Sequence, residues 1–186
     1  AKTLVKIDTV TGQTITVCTF STVYAGYPST TFGLNGTLYG WNGIEKTLDI
    51  IDPCTCEVTT VGMTEDANGV LYSNVPGITA DGHKVETLFG LSTDHDELLE
   101  LDVATGAATS LGPLGVDFHY SGTTWSTDLD GLYAINDYTD KLYVLNPETG
   151  AATDIADLDL NFDKVGIEYH IGDQNLYTCT NHNFSS

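Results

Sequence analysis

One strand-and-turn pattern occurs four times along this chain of 186 residues and constrains its fold more than any other feature. Two copies match closely, since residues 98–109 read LLELDVATGAAT and residues 142–153 read LYVLNPETGAAT. Looser copies begin at Leu4 and Leu48. A period of about 45 residues is typical of proteins built from stacked structural repeats.

A second element recurs in the same register, beginning at Leu38, Leu88, Leu132 and Leu176. Each of the first three lies about ten residues before a repeat strand, whereas the unit at Leu176 has no such strand after it. The unmatched strand is the one at Leu4, so the N-terminal strands are expected to pair with the C-terminal ones and remove the exposed sheet edges. The sequence therefore predicts an all-β, four-bladed β-propeller whose last blade is completed by N-terminal strands. Its single domain, residues 1–186, would comprise blades at about 28–63, 77–112, 122–156, and 166–186 with 1–18.

The turn that follows each repeat strand has chemistry of its own. Asp or Asn at its start can accept backbone N–H groups, Pro presets φ, and Gly at its end adopts positive φ. We therefore predict that Asp8, Asp52, Asp102 and Asn146 form turns and do not bind ligands. The repeat resembles the Asp-Pro-x-Thr-Gly-x-x-Thr blades of bacterial PQQ-like and YncE-like propellers, which usually have seven or eight blades. The resemblance covers all four repeats and implies architecture only, because these blades carry many functions. The tryptophan docking signature of quinoprotein blades is absent, so no quinone is implied.

The charge is strongly one-sided, with 26 Asp and Glu residues against six Lys and no Arg, a net charge of −20. Such a surface repels phosphates, which argues against nucleic acid and anionic membranes as partners. The chain also lacks an apolar run long enough to insert into a membrane. The acidity suits solubility in a saline setting. Alternatively, some carboxylates bind calcium, a cation that takes six to eight oxygens, and the candidate ligands are Asp157, Asp159 and Asp163.

Four cysteines leave several pairings open. Cys54 and Cys56 share one turn, in which Cys56 replaces the usual glycine, and a bridge between them would hold that turn. A bridge between Cys18 and Cys179 would join the two ends of the predicted ring. Free buried thiols are the alternative, and a zinc site is disfavoured because Cys-x-Cys is an unusual ligand spacing.

The loops that join an outer strand to the next inner strand depart most from the repeat, at residues 19–27, 64–76, 113–121 and 157–165. Binding residues concentrate in variable loops on a rigid scaffold. These loops interleave aromatic and acidic residues, which stack on sugar rings and accept hydrogen bonds from hydroxyls. The predicted ligand-binding residues are Tyr24, Tyr27, Tyr72, Asp117, Phe118, His119, Tyr120, Trp125, Asp159, Phe162, Glu168 and His170.

The inner strands are short and rich in threonine. Their second positions hold Thr30, Thr79, Thr124 and Glu168, and we expect these to face the axial channel, with Glu168 as its single carboxylate. The sequence thus predicts an extracellular or cell-surface bacterial module that binds carbohydrate or short peptide. We expect a monomeric domain of a larger adhesin.

Two other classes of function stay open. One is a polysaccharide lyase or glycosidase, for which Glu168, His170, Asp117 and His119 could supply acid and base. The other is a structural ring that docks a partner protein. Motifs for a serine nucleophile or a phosphate-binding loop do not occur, so binding is favoured over catalysis.

Overall fold

The computed structural model of the protein describes residues 3–8, 11–20 and 26–179. Within these ranges every regular element is a β-strand. The described residues contain no helix that could cross a membrane. The strands are β1 Thr3–Ile7, β2 Thr14–Thr19, β3 Ser29–Phe32, β4 Leu38–Asn42, β5 Thr47–Ile51, β6 Val58–Met63, β7 Gly77–Ala80, β8 Thr87–Ser92, β9 Glu97–Asp102, β10 Ala108–Pro113, β11 Ser121–Ser126, β12 Gly131–Asn136, β13 Lys141–Leu145, β14 Ala152–Asp157, β15 Gly166–His170 and β16 Asn175–Cys179.

Three groups of four consecutive strands form antiparallel sheets: β3 to β6, β7 to β10, and β11 to β14. Each sheet is one blade, with its strands in sequence order from the innermost to the outermost. The predicted all-β β-propeller fold is confirmed. In the first two blades the second strand, β4 or β8, is the most buried, because neighbouring blades cover both of its faces. In the third blade the innermost strand, β11, is the most buried.

The blades are arranged around one axis. The innermost strands lie side by side in the order β3, β7, β11 and β15, and all four line a single cavity. Apolar side chains fill the gaps between neighbouring blades. Leu48 of the first blade and Leu99 of the second belong to one buried cluster, Leu98 of the second and Tyr143 of the third to another, and Ile135 of the third and Ile167 of β15 to a third. Each fully buried Leu contributes about 1.5–3 kcal/mol to folding.

The turns between third and outer strands form as predicted. Asp102 accepts hydrogen bonds from the backbone N–H groups of Ala104 and Thr105, at 2.9 and 2.8 Å. The same pair of bonds forms at Asp52 and Asn146, and Asp8 accepts a hydrogen bond from the backbone N–H of Thr11 at 2.7 Å. These side chains are therefore occupied by turn formation.

Neighbouring blades also meet through glycine backbones. Gly62 of β6 lies against Gly106 in the turn of the second blade, and Gly112 of β10 lies against Gly150 in the turn of the third. A β-bulge in each of the two outer strand pairs shifts the register next to Gly62 and Gly112. The approach leaves no room for a Cβ atom, so only glycine fits at these contacts.

A disulfide bond between Cys18 and Cys56 occupies the same position in the repeat, with Cα atoms 5.6 Å apart. Cys18 is paired with Leu4 in the N-terminal hairpin, just as Gly62 is paired with Leu48 in the first blade. The disulfide therefore stands where the other blades have a glycine–glycine contact. The two bridges considered from the sequence, within Cys54–Cys56 and between Cys18 and Cys179, are wrong, because Cys56 bonds to Cys18. Cys54 is an exposed free thiol, and the side chain of Cys179 lies outside the described residues.

The described strands of the last blade form two hairpins. The β1–β2 hairpin and the β15–β16 hairpin are two separate sheets, and in the described ranges β16 is not hydrogen-bonded to β1. Between the third and last blades, Ala156 and Gly12 correspond to the two glycines that meet at each of the other junctions. A Cβ atom added at Gly12 would have no neighbour within 4 Å, and Ala156 is exposed. The disulfide fixes the N-terminal hairpin beside the first blade, a constraint that the repeat pattern alone did not reveal.

Candidate functional site in the axial channel

The innermost strands surround a cavity of about 180 Å³ along the axis. It lies between Thr30 of β3, Ile78 of β7, Thr123 of β11 and Glu168 of β15. It shares residues with a wider mouth of about 310 Å³ on the face that carries the loops between blades. The two spaces together form a channel that opens toward the predicted ligand-binding face.

Hydroxyl groups on the inner strands tie adjacent blades together. Thr79 Oγ1 accepts a hydrogen bond from the backbone N–H of Trp125 at 3.3 Å, and Thr124 Oγ1 accepts one from that of Tyr169 at 3.1 Å. Both threonines are buried. The expectation that Thr79 and Thr124 face the channel is therefore wrong, because their hydroxyls bond to the next inner strand, whereas Thr30 and Glu168 line the cavity as expected.

Of the described residues that line the narrow part of the channel, Glu168 alone is ionisable. Its Oε1 accepts a hydrogen bond of 3.3 Å from Thr124 Oγ1. Burial raises the pKa of the carboxyl, while hydrogen bonds from Thr124 and from the Tyr169 backbone act in the opposite direction. The predicted carboxylate thus lines the channel, and its side chain is exposed.

Two buried hydroxyls beside the channel have no hydrogen-bond partner within the described part of the chain: Ser121 Oγ at the mouth and Thr123 Oγ1 in the narrow part. Ser121 is 1% exposed and Thr123 is 6% exposed. A buried polar group without a partner costs about 1–3 kcal/mol. Unsatisfied buried groups are rare in native proteins, so these two hydroxyls call for a specific explanation.

The mouth combines an aromatic ring with a positive charge. Tyr120, 39% exposed, and Lys164 both line it, and Lys164 Nζ lies 5.7 Å from the centre of the Tyr120 ring. The buried carboxylate of Asp137 accepts hydrogen bonds from the backbone N–H groups of Tyr120, at 2.9 Å, and Lys164, at 3.2 Å. Asp137 therefore fixes two loops of different blades around one opening.

Most of the predicted loop aromatics do not face solvent. Tyr72, Phe118 and Phe162 are buried and belong to the core between blades, which corrects their assignment as ligand-binding residues. The backbone N–H of Phe118 donates to Asp96 Oδ1 at 2.9 Å, and that of Phe162 donates to Asp140 Oδ1 at 2.7 Å. This arrangement repeats from blade to blade, as expected of a structural cap.

The hydroxyls of the buried tyrosines are also engaged. Tyr72 donates to Glu97 at 3.2 Å, and its burial beside that carboxylate raises the pKa of the phenol to about 12. The hydroxyl of half-buried Tyr27 donates to Asp49 at 2.7 Å, and burial beside this carboxylate likewise raises the pKa of Tyr27. Tyr27 lines a cavity of about 490 Å³ beside β1 and not the channel. Tyr24 lies outside the described residues.

Two further predicted residues lie on the loop face beside the mouth. His119 is exposed, packs edge-to-face on Tyr120 with ring centres 4.5 Å apart, and has Nδ1 3.9 Å from Asp137 Oδ2. The Asp117 side chain is exposed, and its carbonyl accepts a hydrogen bond from Asn136. Neither residue lines the channel.

Trp125 and His170 lie at the other ends of their strands, away from the loop face, so their assignment to that face is wrong. Trp125 stacks on Phe89 with ring centres 5.9 Å apart and lines a separate cavity of about 350 Å³ between the second and third blades. His170 Nδ1 lies 3.0 Å from Asp173 Oδ1 in the turn after β15. An alternating strand pattern identifies the face of a sheet but not which end of a strand reaches the ligand.

The acidic loop predicted to bind calcium does not gather its carboxylates. Asp157 forms an ion pair with Lys141 at 3.2 Å, and both Asp157 and Asp159 are exposed. Asp163 is exposed as well. Among the residues that the structure describes, no three His, Cys, Asp or Glu side chains converge as a metal site would require.

Sequence reasoning missed three residues of the channel, namely Ser121, Thr123 and Lys164. The alternation of inner strand β11 contains the missing signal, because Ser121 and Thr123 are two residues apart and so share a face. The sequence offers no specific signal for Lys164 beyond the rarity of lysine, of which this chain with a net charge of −20 has six.

Comparison with known proteins supports the fold but not a family. No protein-family model matches the chain, and no curated protein matches it. Solved structures of the NHL, YncE-like and SMP-30 β-propeller types are similar to it. One is a protein of unknown function from Bacteroides thetaiotaomicron, with a TM-score of 0.67 and 14% identity over 91% of this chain and 45% of that one.

Two other similar structures carry functional names. An auxiliary nutrient binding protein from Bacteroides ovatus matches with a TM-score of 0.57 and 12% identity over 94% of this chain and 35% of that one. A calcium-binding regucalcin from Agrobacterium tumefaciens matches with a TM-score of 0.57 and 14% identity over 90% of this chain and 58% of that one. This chain spans about half the length of the structures it matches, and such identities show the shared fold alone.

Proposed function

We propose that this protein is a ligand-binding module whose ligand enters the axial channel from the loop face. The observation that carries the proposal is the pair of buried hydroxyls beside the channel, Ser121 Oγ and Thr123 Oγ1, which have no hydrogen-bond partner in the described chain. Ser121 lines the mouth and Thr123 lines the narrow part, so a polar ligand in the channel would lie beside both residues. The name of the Bacteroides ovatus neighbour, a nutrient binding protein, agrees with a binding role for this fold.

The proposed ligand is the end of a carbohydrate or of a short peptide. The mouth and the narrow part of the channel, about 310 and 180 Å³, suit a single sugar or amino-acid unit better than a chain lying across the face. Tyr120 supplies one ring for stacking on a sugar or peptide unit, and Lys164 supplies a donor at the rim. Because Tyr72, Phe118 and Phe162 are buried, the loop residues that the structure describes form no broad aromatic platform for an extended polysaccharide.

The proposed location is the outside of a bacterial cell, as a monomeric module of a larger adhesin. The Cys18–Cys56 disulfide is compatible with an oxidising compartment. The net charge of −20 suits a solvated surface module and disfavours nucleic acid and membrane insertion.

A polysaccharide-degrading enzyme has less support. A glycosidase of the usual type needs two carboxylates on either side of the scissile bond, and Glu168 is the only one that lines the narrow part of the channel. His170, offered from the sequence as its partner base, lies at the opposite end of β15. The geometry therefore favours binding over hydrolysis.

An array of glycans and short peptides, probed with labelled protein in calcium and in chelator, tests this proposal. Defined ligands are expected, and Thr123→Val and Tyr120→Ala should weaken them at least tenfold. Tyr138→Ala is the matched control, because Tyr138 is 72% exposed on the same face but does not line the mouth. Loss of binding in chelator alone would assign calcium to the site. No ligand in either condition, or equal losses in all three variants, would refute the channel as a binding site and favour a scaffold that docks a partner.

A further inference from the structure

Strand β16 has one edge that no described strand covers. In the three complete blades the second strand, β4, β8 or β12, is hydrogen-bonded on both sides. Within the described ranges β16 is bonded to β15 alone. The place that β5, β9 or β13 fills in the other blades is therefore open beside β16. A row of unpaired backbone N–H and C=O groups at such an edge is a template for another strand.

β16 also lacks the features that protect sheet edges from other chains. A β-bulge interrupts the β1–β2, β5–β6, β9–β10 and β13–β14 pairs, which include the described outer strands. The β15–β16 pair runs in regular register. β16 reads NLYTC and contains neither a charged residue nor proline. Because bulges, charges and prolines are what keeps natural edge strands from pairing, β16 is well suited to accept a strand.

A tyrosine at this edge is exposed where the first two blades bury an aromatic ring. Tyr177 is 55% exposed, whereas the corresponding Tyr39 and Phe89 are 2% and 4% exposed. The hydroxyl of Tyr177 donates to Asp173, and its ring packs edge-to-face on His170. The ring is thus held in place without being covered. Aromatic residues on a sheet are stabilised by an apolar side chain opposite them on the adjacent strand.

The repeat specifies which residues a strand beside β16 would carry. In each complete blade the residue aligned with Leu176 pairs with a branched apolar residue of the third strand. These pairs are Leu38–Ile51, Leu88–Leu101 and Leu132–Leu145. Each third strand also has a leucine three residues earlier, at Leu48, Leu98 and Leu142. A strand in the same register is antiparallel to β16 and has two apolar residues three positions apart, the second of them opposite Leu176.

The strand that begins at Leu4 has this pattern but is held elsewhere. It pairs with β2, which the Cys18–Cys56 disulfide joins to the first blade. Val5 and Ile7 of β1 are exposed, whereas the corresponding residues of β9 are fully buried. Within the described ranges β1 makes no hydrogen bond to β16. The edge of β16 is therefore accessible to a strand from another molecule.

We propose that β16 binds an extended segment of a partner protein, which adds to the sheet as the third strand of the last blade. Backbone hydrogen bonds to β16 supply affinity, and apolar side chains opposite Leu176 and Tyr177 supply specificity. Since the protein has a net charge of −20, the segment is neutral or basic. This surface is separate from the channel, because none of the described residues that line the channel belongs to β16.

A capped synthetic peptide of residues 141–153, which form β13 and the turn after it, is the probe. It has one lysine and one glutamate, and in the repeat register its Val144 lies opposite Tyr177, as Val144 lies opposite Tyr133 in the third blade. Isothermal titration measures its affinity, and hydrogen exchange locates its binding site. The peptide should protect the outward-facing amides of β16. The same peptide with Leu145→Asp, which places a charge opposite Leu176, should bind at least tenfold more weakly.

Variants of the protein test the same edge from its own side. Tyr177→Lys gives β16 a charge of the kind that guards edge strands and should weaken peptide binding at least tenfold. Tyr138→Lys is the matched control, because Tyr138 is an exposed tyrosine in the turn after β12, and it should have no effect. Thr123→Val, which tests the channel, should also leave binding of this peptide unchanged.

Each other result counts against the inference. Protection of the β16 amides in the free protein, equal to that of β12, would show that the edge is already covered. A concentration-dependent dimer in sedimentation equilibrium would assign the edge to a second copy and not to a partner. Equal affinity for the two peptides overturns the inference without relying on any protein variant. No peptide binding, while array ligands still bind the wild type and are lost in Thr123→Val, overturns it and leaves the proposed channel function standing.

Discussion

Gly112 lies where the second blade meets the third, and replacing it with alanine tests how the blades are held together. A methyl group at this position would lie less than 3.0 Å from the carbonyl oxygen of Thr149, in the turn of the next blade. The obstruction is backbone and not the flexible end of a side chain. The two blades would therefore have to separate locally for the methyl group to fit.

The expected magnitude has two parts. Overpacking against a fixed backbone costs about 1–3 kcal/mol. The φ of Gly112, +142°, lies in a region that residues with a side chain rarely adopt, which adds about 1–3 kcal/mol. Gly112→Ala should lower the free energy of unfolding by about 2–6 kcal/mol.

Gly115→Ala is the matched control, because Gly115 also has a positive φ, +78°, but no atom within 4 Å of a Cβ position. It should incur only the left-handed backbone cost of about 1–2 kcal/mol. Equilibrium unfolding in guanidinium chloride, under non-reducing conditions, gives both values. If the two variants agreed to within about 0.5 kcal/mol, blade contact through the glycine backbones would not contribute to stability and the reasoning would be refuted.

Three other changes have definite expected outcomes. Cys18→Ser removes the only described disulfide and should lower the unfolding free energy by up to about 4 kcal/mol in a non-reducing melt, whereas Cys54→Ser should leave it unchanged. Gly82→Ala places a methyl group less than 3.0 Å from the Trp125 indole and should shift the tryptophan emission spectrum; an unaltered spectrum would show that the indole does not lie there. Although burial opposes it, hydrogen bonds from neighbouring serines lower the pKa of Asp94 to about 2, so its contribution to stability is full above about pH 4 and is lost as pH falls toward 2. Asp94→Asn should flatten the pH dependence of the thermal midpoint in that interval, and an unchanged slope would contradict this.

The fold could be predicted because its determinants are local and repeated. The turn that begins at Asp102 needs only its own few residues, and the alternation of each strand fixes which side chains face a neighbouring blade. The disulfide was missed because Cys18 had to be aligned through a β-bulge to reveal that it corresponds to Gly62. That alignment is visible in the sequence only after the strand pairing is known.

The candidate site was predicted only in part, because chemistry and exposure are separate properties. Phe118 and Tyr120 are two residues apart in one loop, yet the first is buried and the second lines the channel mouth. The two residues differ in exposure because the backbone N–H of Phe118 donates a hydrogen bond to Asp96, which is 22 residues away in the chain. Glu168 lines the narrow part of the channel, and its position could be read from the repeat, which it interrupts with a charged residue.

A crystal structure of the protein with the tightest array ligand tests the central claim most directly. The account predicts ligand density in the axial channel, beside Ser121 and Thr123, with the rest of the ligand passing Tyr120. Density that lies instead in the cavity beside Trp125, or on the outer loops with the channel unchanged, would contradict the assignment of the channel as the binding site.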